Sequence, residues 1–105
     1  MPLTKIKWSP TATGRLADIY NFIYLREGSR TLAENQIDYL LNAIDLLKKN
    51  KNLGTEEPLA KRYNKNHRVL IEGSYKIIYR VENNSIFIVD VFHTSQHPGK
   101  MKSSS

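Results

Sequence analysis

The sequence contains no cysteine, a single tryptophan and no long apolar run. Without cysteine the chain can form no disulfide scaffold, no thiolate zinc site and no cysteine nucleophile, and it fits a reducing cytoplasm. No stretch approaches the roughly 20 apolar residues of a membrane helix, and residues 1–8 lack the apolar segment of a signal peptide. We therefore expect a soluble, cytoplasmic protein with no membrane contact. Its 105 residues suffice for one domain with one modest core.

Positive charge is concentrated in the second half of the chain. Residues 1–60 carry 8 basic and 7 acidic side chains, a net charge of +1, whereas residues 61–105 carry 8 basic and 3 acidic side chains, a net charge of +5. Such an excess favours an anionic partner, either nucleic acid or an acidic protein. A charged surface can also serve only to keep a small protein soluble, so charge alone leaves both interpretations open.

Local signals in the first half predict one strand followed by two helices. Residues 3–8 alternate between polar and apolar side chains, as a half-buried strand does. Ser9 and Pro10 are typical of a helix start, Gly28 of its end, and Ser29 of the next start, so the two helices should form an antiparallel hairpin. The residues expected to face the core are Ile6 and Trp8 in the strand, Leu16, Ile19, Tyr20 and Ile23 in the first helix, and Ala33, Ile37, Leu40, Ile44 and Leu47 in the second.

The second half predicts a loop over residues 52–66 and then three strands rich in β-branched and aromatic residues, within 68–71, 75–81 and 86–92. Gly73-Ser74 suits a type II′ turn and Asn83-Asn84 a type I′ turn, so the strands should form an antiparallel meander. Alternation in the middle strand places Tyr75, Ile77, Tyr79 and Val81 on one face and Lys76, Ile78 and Arg80 on the other. The predicted fold is a two-layer α+β domain of order β-α-α-β-β-β, with the helix hairpin on one face of an antiparallel sheet and basic groups on the other face.

An ordered set of motifs resembles the RelE/ParE superfamily of bacterial toxins. Trp8-Ser9-Pro10 is similar to the aromatic-Ser-Pro start of the family's first helix, and Leu16 to Ile23 is similar to that helix. The pattern from Arg68 through Tyr75 to Tyr79-Arg80-Val81 resembles the core hairpin, and the run from Ile86 to His93 resembles the closing strand with its histidine. The resemblance implies a toxin domain over residues 1–98, with 99–105 as a flexible tail.

The resemblance implies one of two activities. RelE-like members cut messenger RNA in the ribosome, whereas ParE-like members inhibit DNA gyrase and are not nucleases. This chain has no arginine after Arg80 and no tyrosine after Tyr79, and His93 is followed by Thr94, so the late Arg and Tyr of RelE-like chains and the His-Tyr pair of YoeB-like chains are missing. The ending from His93 through His97-Pro98 resembles ParE-like chains instead. We therefore favour a non-enzymatic gyrase inhibitor, with plasmid stabilisation and growth inhibition as the associated roles, over a metal-independent endoribonuclease.

Candidate site residues follow from the same comparison. For cleavage of RNA, Arg68, Lys76 and Arg80 would contact phosphate. His93 would carry a proton, with His67 and His97 as further proton carriers. The candidates for contact with the target are Lys61, Arg62, Lys65, Arg68, Lys76, Arg80, His93, His97 and Lys100. We expect no metal and no cofactor, because Pro98 opposes a helix that would hold His93 and His97 on one ion.

Each candidate also has a structural interpretation. Arg68 and Arg80 could pair with Glu72 and Glu82, and His93 could only cap the last strand. Trp8, Tyr75 and Tyr79 are expected mainly to pack in the core.

The implied partners are a cognate acidic antitoxin and DNA gyrase, or the ribosome and mRNA if the chain is RelE-like. A non-toxic nucleic-acid-binding module is a further alternative, although no helix-turn-helix spacing or zinc-ligand set supports it.

Overall fold

The computed structural model describes residues 5–50, 54 and 67–94, which form a helical layer and a sheet layer. The predicted order is confirmed, and a short 3-10 turn at Leu46–Lys48 extends the second helix. The elements are β1 (Lys5–Trp8), α1 (Pro10–Glu27), α2 (Arg30–Asp45), β2 (His67–Glu72), β3 (Tyr75–Glu82) and β4 (Ser85–His93). Within the described ranges, neither helix is long and apolar enough to cross a membrane.

The predicted caps define the helix hairpin. The Ser9 Oγ accepts a hydrogen bond of 2.9 Å from the N–H of Ala12, and Pro10 occupies the first helical position. Gly28 ends α1 with a left-handed φ of 64°, which glycine adopts without the steric cost of a Cβ. Ser29 then caps α2 through a 3.1 Å hydrogen bond to its side chain. A two-residue connection between the helices makes them antiparallel neighbours, as predicted.

The sheet has the strand order β1-β4-β3-β2. Strands β2, β3 and β4 form the predicted antiparallel meander. However, β1 pairs with β4 in the parallel direction, so the sheet is mixed rather than wholly antiparallel. Parallel pairing needs a long connection between the two strands, and here α1, α2, β2 and β3 all lie between them in sequence.

The two hairpin loops differ in how well they match the predicted turn types. Gly73 has a φ of 59° and Ser74 does not have positive φ, as the predicted type II′ turn requires. In the second loop only Asn83 has positive φ, at 52°. The type I′ prediction is therefore wrong, because that turn needs positive φ at both central residues. Asparagine can adopt the left-handed conformation because its short polar side chain can hydrogen-bond locally, and this loop uses that conformation at Asn83 but not at Asn84.

The core lies between the helices and one face of the sheet. The alternation predicted for β3 is confirmed, since Tyr75, Ile77 and Tyr79 are buried in this core and Val81 packs against it. The predicted residues Leu40 and Ile44 of α2 and Leu47 of the 3-10 turn contribute, and Ile6, Trp8, Leu16 and Ile19 pack at the margin. The opposite side of the sheet, here called the outer face, carries a smaller cluster of Val69, Ile78 and Phe92 with Val89 against it.

A β-bulge interrupts the ladder between β3 and β4. Ile78 pairs with Asp90 while Tyr79 pairs with Ile88, so Val89 is an extra residue in β4. Because side chains alternate between faces along a strand, one extra residue moves every later side chain to the opposite face. Val91 and His93 therefore face the helices, whereas an uninterrupted ladder would direct them outward.

Candidate functional site

Four of the nine predicted target contacts lie in the part of the chain that the structure describes: Arg68, Lys76, Arg80 and His93. Outside the described residues lie the other five: Lys61, Arg62, Lys65, His97 and Lys100. The predicted tail, 99–105, and all of the predicted loop, 52–66, except Gly54 also lie outside them. The expectations for those residues stay predictions.

The register of the first hairpin separates the two arginines. Its two-residue loop pairs Arg68 with Tyr79 and His67 with Arg80. Directly paired residues share a sheet face, so Arg80 lies on the outer face, which Lys76 shares as its alternate neighbour along β3. Arg68 lies on the side of Tyr79, which faces the helices. The three basic residues of this hairpin therefore do not form one phosphate-binding group.

Arg80 is held over an aromatic ring on the outer face. Its guanidinium carbon lies 4.4 Å from the ring centroid of Phe87, its partner across β3 and β4. Its Nε lies 3.2 Å from a carboxylate oxygen of Glu82, so the pairing considered from the sequence is confirmed. The Arg80 side chain is 31% exposed, and such pairs contribute roughly 0–1 kcal/mol. The cation is therefore oriented by its neighbours and still partly accessible.

A row of side chains runs across the outer face from Arg80. Phe87 pairs with Arg80 on one side and with Lys7 of β1 on the other. Lys5 shares this face two residues earlier, and both lysines are exposed. The site candidates chosen from the sequence omitted Lys5 and Lys7, although the alternation in β1 already directs them away from Ile6 and Trp8.

Arg68 and Tyr79 fix the chain between α2 and β2 at Gly54. The Arg68 Nε donates a 2.9 Å hydrogen bond to the Gly54 carbonyl oxygen, and the Gly54 N–H donates a 2.8 Å hydrogen bond to the Tyr79 hydroxyl. We call these contacts the Gly54 clamp. Burial raises the pKa of the Tyr79 phenol above its ordinary value of 10.0, and the Gly54 N–H and Arg68 lower it in part. Arg68 thus has a structural task that the sequence did not reveal.

His93 faces the helices because of the β4 bulge. It pairs with Tyr75, and the two rings meet edge to face with centroids 5.3 Å apart. Burial raises the pKa of the Tyr75 phenol, and the positive charge of Arg26 on α1 opposes that rise. Both rings line a groove of about 650 Å³ between α1 and the end of the sheet, together with Arg15, Asp18, Phe22 and Arg26.

A buried ion pair links the same helix to the sheet. The Asp90 carboxylate is almost fully buried, and its Oδ1 accepts hydrogen bonds of 2.9 Å from the Arg15 Nε and 2.8 Å from the N–H of Val91. This pair could not be predicted from the sequence, since its members lie 75 positions apart in the chain. It holds α1 against β4 next to the bulge.

The three residues proposed for RNA cleavage do not converge. Arg80 is on the outer face, whereas Arg68 and His93 are on the helix side beside Tyr79 and Tyr75. These tyrosines are four residues apart along β3, which places them about 13 Å from each other. In the described ranges, no cluster of three or more His, Asp or Glu side chains could hold a metal ion.

The parallel edge strand, the helix hairpin and the meander together define a small two-layer α+β domain of the toxin type that the sequence resembles. A family model for the ParE toxin of type II toxin–antitoxin systems, parDE, matches residues 6–98. The chain belongs to this family of ParE toxins. The resemblance found in the sequence is thereby confirmed on its ParE-like side.

A solved structure gives independent support for the fold. A chain from the chromosomal ParDE TA system of P. aeruginosa superposes with a TM-score of 0.72 at 19% sequence identity, covering 87% of this chain and 96% of that chain. At this identity the likeness shows the α+β fold alone. A comparison with curated proteins finds no match.

Proposed function

We propose that this ParE-family toxin inhibits DNA gyrase by binding it, without catalysing a reaction, and that a cognate antitoxin neutralises it in the cytoplasm. The observation that carries the proposal is the dispersal of Arg68, Arg80 and His93 over two faces of the sheet. Nucleophilic attack on phosphate needs a proton acceptor, cationic groups and a proton donor around one phosphorus atom. Arg80 lies on the opposite face of the sheet from Arg68 and His93, whose β3 partners Tyr79 and Tyr75 are about 13 Å apart along the strand, so the three residues are not arranged around one phosphorus atom.

The roles of the arginines support the same proposal. Arg68 holds the main chain at Gly54, and Arg80 rests on Phe87 beside Glu82. A catalytic arginine would instead aim its donors at the place where charge develops. The sequence also lacks the late arginine and tyrosine of the RelE-like pattern. A protein–protein contact with gyrase can use such groups singly and does not require them to converge on one atom.

The proposal is tested by adding the purified toxin to gyrase and relaxed plasmid, beside a ribosome-programmed mRNA cleavage reaction. We expect supercoiling to be lost at micromolar toxin or below while the mRNA remains intact. Cut mRNA with unaffected gyrase would reverse the proposal in favour of a ribosome-dependent RNase. As a control within the mRNA reaction, Arg68→Gln, Arg80→Gln and His93→Ala should each leave the message as intact as the parent does.

The antitoxin part of the proposal is supported by charge. The half of the chain that carries a net charge of +5 in sequence is a suitable counterpart for an acidic segment that orders on binding. Isothermal titration with the product of the adjacent reading frame should give micromolar or tighter binding that weakens as salt is added. No heat of binding at micromolar concentration would exclude that product as the antitoxin.

A further inference from the structure

The outer face of the sheet carries a group of charged side chains at its β1 end. The ladders that join β1, β4 and β3 place six outward-facing side chains there in two rows of three. One row runs from Lys7 through Phe87 to Arg80, and the other, two residues away along each strand, runs through Ser85. We call this group the cationic corner, and its members are Lys5, Lys7, Arg80, Glu82, Ser85 and Phe87. Three basic side chains and one acidic side chain give it a net charge of +2.

The three cations of the corner stand on both sides of β4. Lys5 and Lys7 are exposed, and neither forms an ion pair with another of the described residues. They are alternate residues of β1, which places them about 6.6 Å apart along the strand. Arg80 lies two strands away from Lys7, a distance of about 10 Å across the sheet. An extended anionic chain that crosses the corner can therefore meet lysines on one side and an arginine on the other.

The residue types of the corner favour a nucleic acid over an acidic protein. Four of its six residues are lysine, glutamate or serine, which are depleted at protein–protein interfaces. Among residues 5–50, 54 and 67–94, none of the exposed large apolar side chains belongs to the corner. Lysine, arginine and serine are instead among the side chains that contact phosphate oxygens in complexes with DNA.

The aromatic ring of the corner is covered. Phe87 is half-buried, and the guanidinium carbon of Arg80 lies 4.4 Å from its ring centroid. Proteins that bind single strands stack unpaired bases on open aromatic faces, and a ring beneath a guanidinium does not offer such a face. The ring orients Arg80 instead, so the corner suits the phosphates of a duplex better than the bases of a single strand.

From these observations we propose that the cationic corner binds the phosphate backbone of double-stranded DNA, so that a toxin bound to gyrase also contacts the DNA that gyrase holds. Lys5 and Lys7 contact phosphates from β1, and Arg80 contacts them from β3. Contacts of this kind carry no sequence information, so the DNA contact is independent of sequence. This inference rests on the proposed function for the source of the DNA, since gyrase is the enzyme that brings the duplex to the toxin.

Titration of a fluorescently labelled duplex with the toxin alone tests the corner without gyrase. We expect binding at low ionic strength whose affinity falls with salt at a log–log slope of about −2.7, or about 0.9 for each of three phosphate contacts. Lys7→Glu should weaken binding roughly tenfold and make the slope less steep by about 1, whereas Lys7→Arg should bind as the parent does. Arg30→Glu makes the same charge change at the start of α2, in the helical layer, and should have little effect.

Three results of this titration would overturn the inference. The first is no rise in anisotropy at low ionic strength, and the second is an equal loss of affinity in Lys7→Glu and Arg30→Glu. The third is tighter binding of a single strand than of the duplex with the same sequence, because that result would assign the corner to unpaired bases.

The amount of toxin that gives half-maximal DNA breakage by gyrase tests the corner in the complex. Lys7→Glu should raise this amount roughly tenfold and leave the affinity for DNA-free gyrase unchanged. Glu82→Gln removes the carboxylate beside Arg80 and should lower the amount roughly two- to fivefold, a gain that misfolding does not produce. Glu27→Gln is its matched control, because it removes the carboxylate from a similar pair with Arg26 at the end of α1, and it should change neither quantity.

The outcomes separate this inference from the proposed function. If Lys7→Glu weakens binding to DNA-free gyrase as much as it weakens DNA breakage, the corner binds protein, and the inference is overturned while gyrase inhibition stands. A parent toxin that has no effect on gyrase would overturn the proposed function, and the duplex titration would still decide whether the corner binds DNA.

Discussion

The surroundings of Gly54, between α2 and β2, leave no room for a side chain. A methyl group added at Gly54 would lie 2.7 Å from the Tyr79 Cε1, 2.8 Å from the Tyr79 hydroxyl oxygen and 2.8 Å from the Val69 carbonyl oxygen. The Tyr79 ring is fully buried and cannot turn away, and the Val69 oxygen belongs to the paired backbone of β2. Gly54→Ala must therefore displace either the core or Gly54 itself.

The expected cost of Gly54→Ala combines two effects. Overpacking a buried site destabilises the fold by about 1–3 kcal/mol. Losing the hydrogen bond between the Gly54 N–H and the Tyr79 hydroxyl leaves both groups buried without a partner, which destabilises the fold by about 1–3 kcal/mol. We expect the free energy of unfolding to fall by about 2–4 kcal/mol, and the melting temperature to fall by roughly 10–25 °C for a domain of this size. Tyr79→Phe removes only the hydroxyl, so it should cost about 1–2 kcal/mol.

Urea denaturation followed by circular dichroism measures these changes. Gly14→Ala is the matched control, because Gly14 lies in α1 with no atom within 4 Å of the added methyl group. It should raise stability by about 0.5–1 kcal/mol through its better helix propensity. A Gly54→Ala protein as stable as the parent would refute the proposed packing of Gly54 against Tyr79.

Three further predictions concern the contacts that join the helices to the sheet and the buried phenol. Ser9→Ala should lower the free energy of unfolding by about 1–2 kcal/mol, and by more than Ser29→Ala in urea titration, because the Ser9 hydroxyl also donates to a β4 carbonyl at 2.7 Å. Arg15→Met should lower the free energy of unfolding by about 1–3 kcal/mol, and Asp90→Asn should lower it by less, because only Arg15→Met leaves a buried carboxylate without its cation. A larger loss for Asp90→Asn in the same urea titration would contradict this. Because the pKa of Tyr79 is raised in the folded state, the folded protein holds the phenolic proton more tightly than the unfolded chain does. The free energy of unfolding should therefore decline as pH rises above 10.0. Tyr79→Phe should make that decline less steep in denaturation curves measured across alkaline pH.

The helices and hairpins could be predicted from the sequence because their signals are local. Ser9, Gly28 and Ser29 act on backbone groups within one helical turn of themselves, and each lies where the sequence placed it. Gly73 likewise sets the turn between β2 and β3. The two-residue loop even determines which residues of the hairpin face each other, so the separation of Arg68 from Arg80 could have been worked out from the sequence.

The position of His93 could not be predicted, because it depends on a bulge. Nothing in the apolar run of β4 indicates that Val89 is the extra residue, and without it the ladder would place His93 on the face of Lys76. The direction of β1 depends on tertiary packing that the alternation of its side chains does not encode. The Gly54 clamp and the Arg15–Asp90 pair join residues far apart in sequence, and a single sequence contains no signal for such contacts.

We propose that toxicity comes from binding gyrase and not from chemistry on RNA. The most direct measurement mixes gyrase, plasmid and purified toxin, treats the reaction with denaturant and protease, and then measures how much of the plasmid DNA gyrase has left broken. We predict broken DNA that increases with toxin, still forms at saturating toxin with Arg68→Gln, Arg80→Gln and His93→Ala provided these variants fold, and disappears when the antitoxin is added first. Unbroken and normally supercoiled plasmid at saturating toxin, with cleavage of ribosome-bound mRNA that each of these substitutions abolishes, would contradict the account.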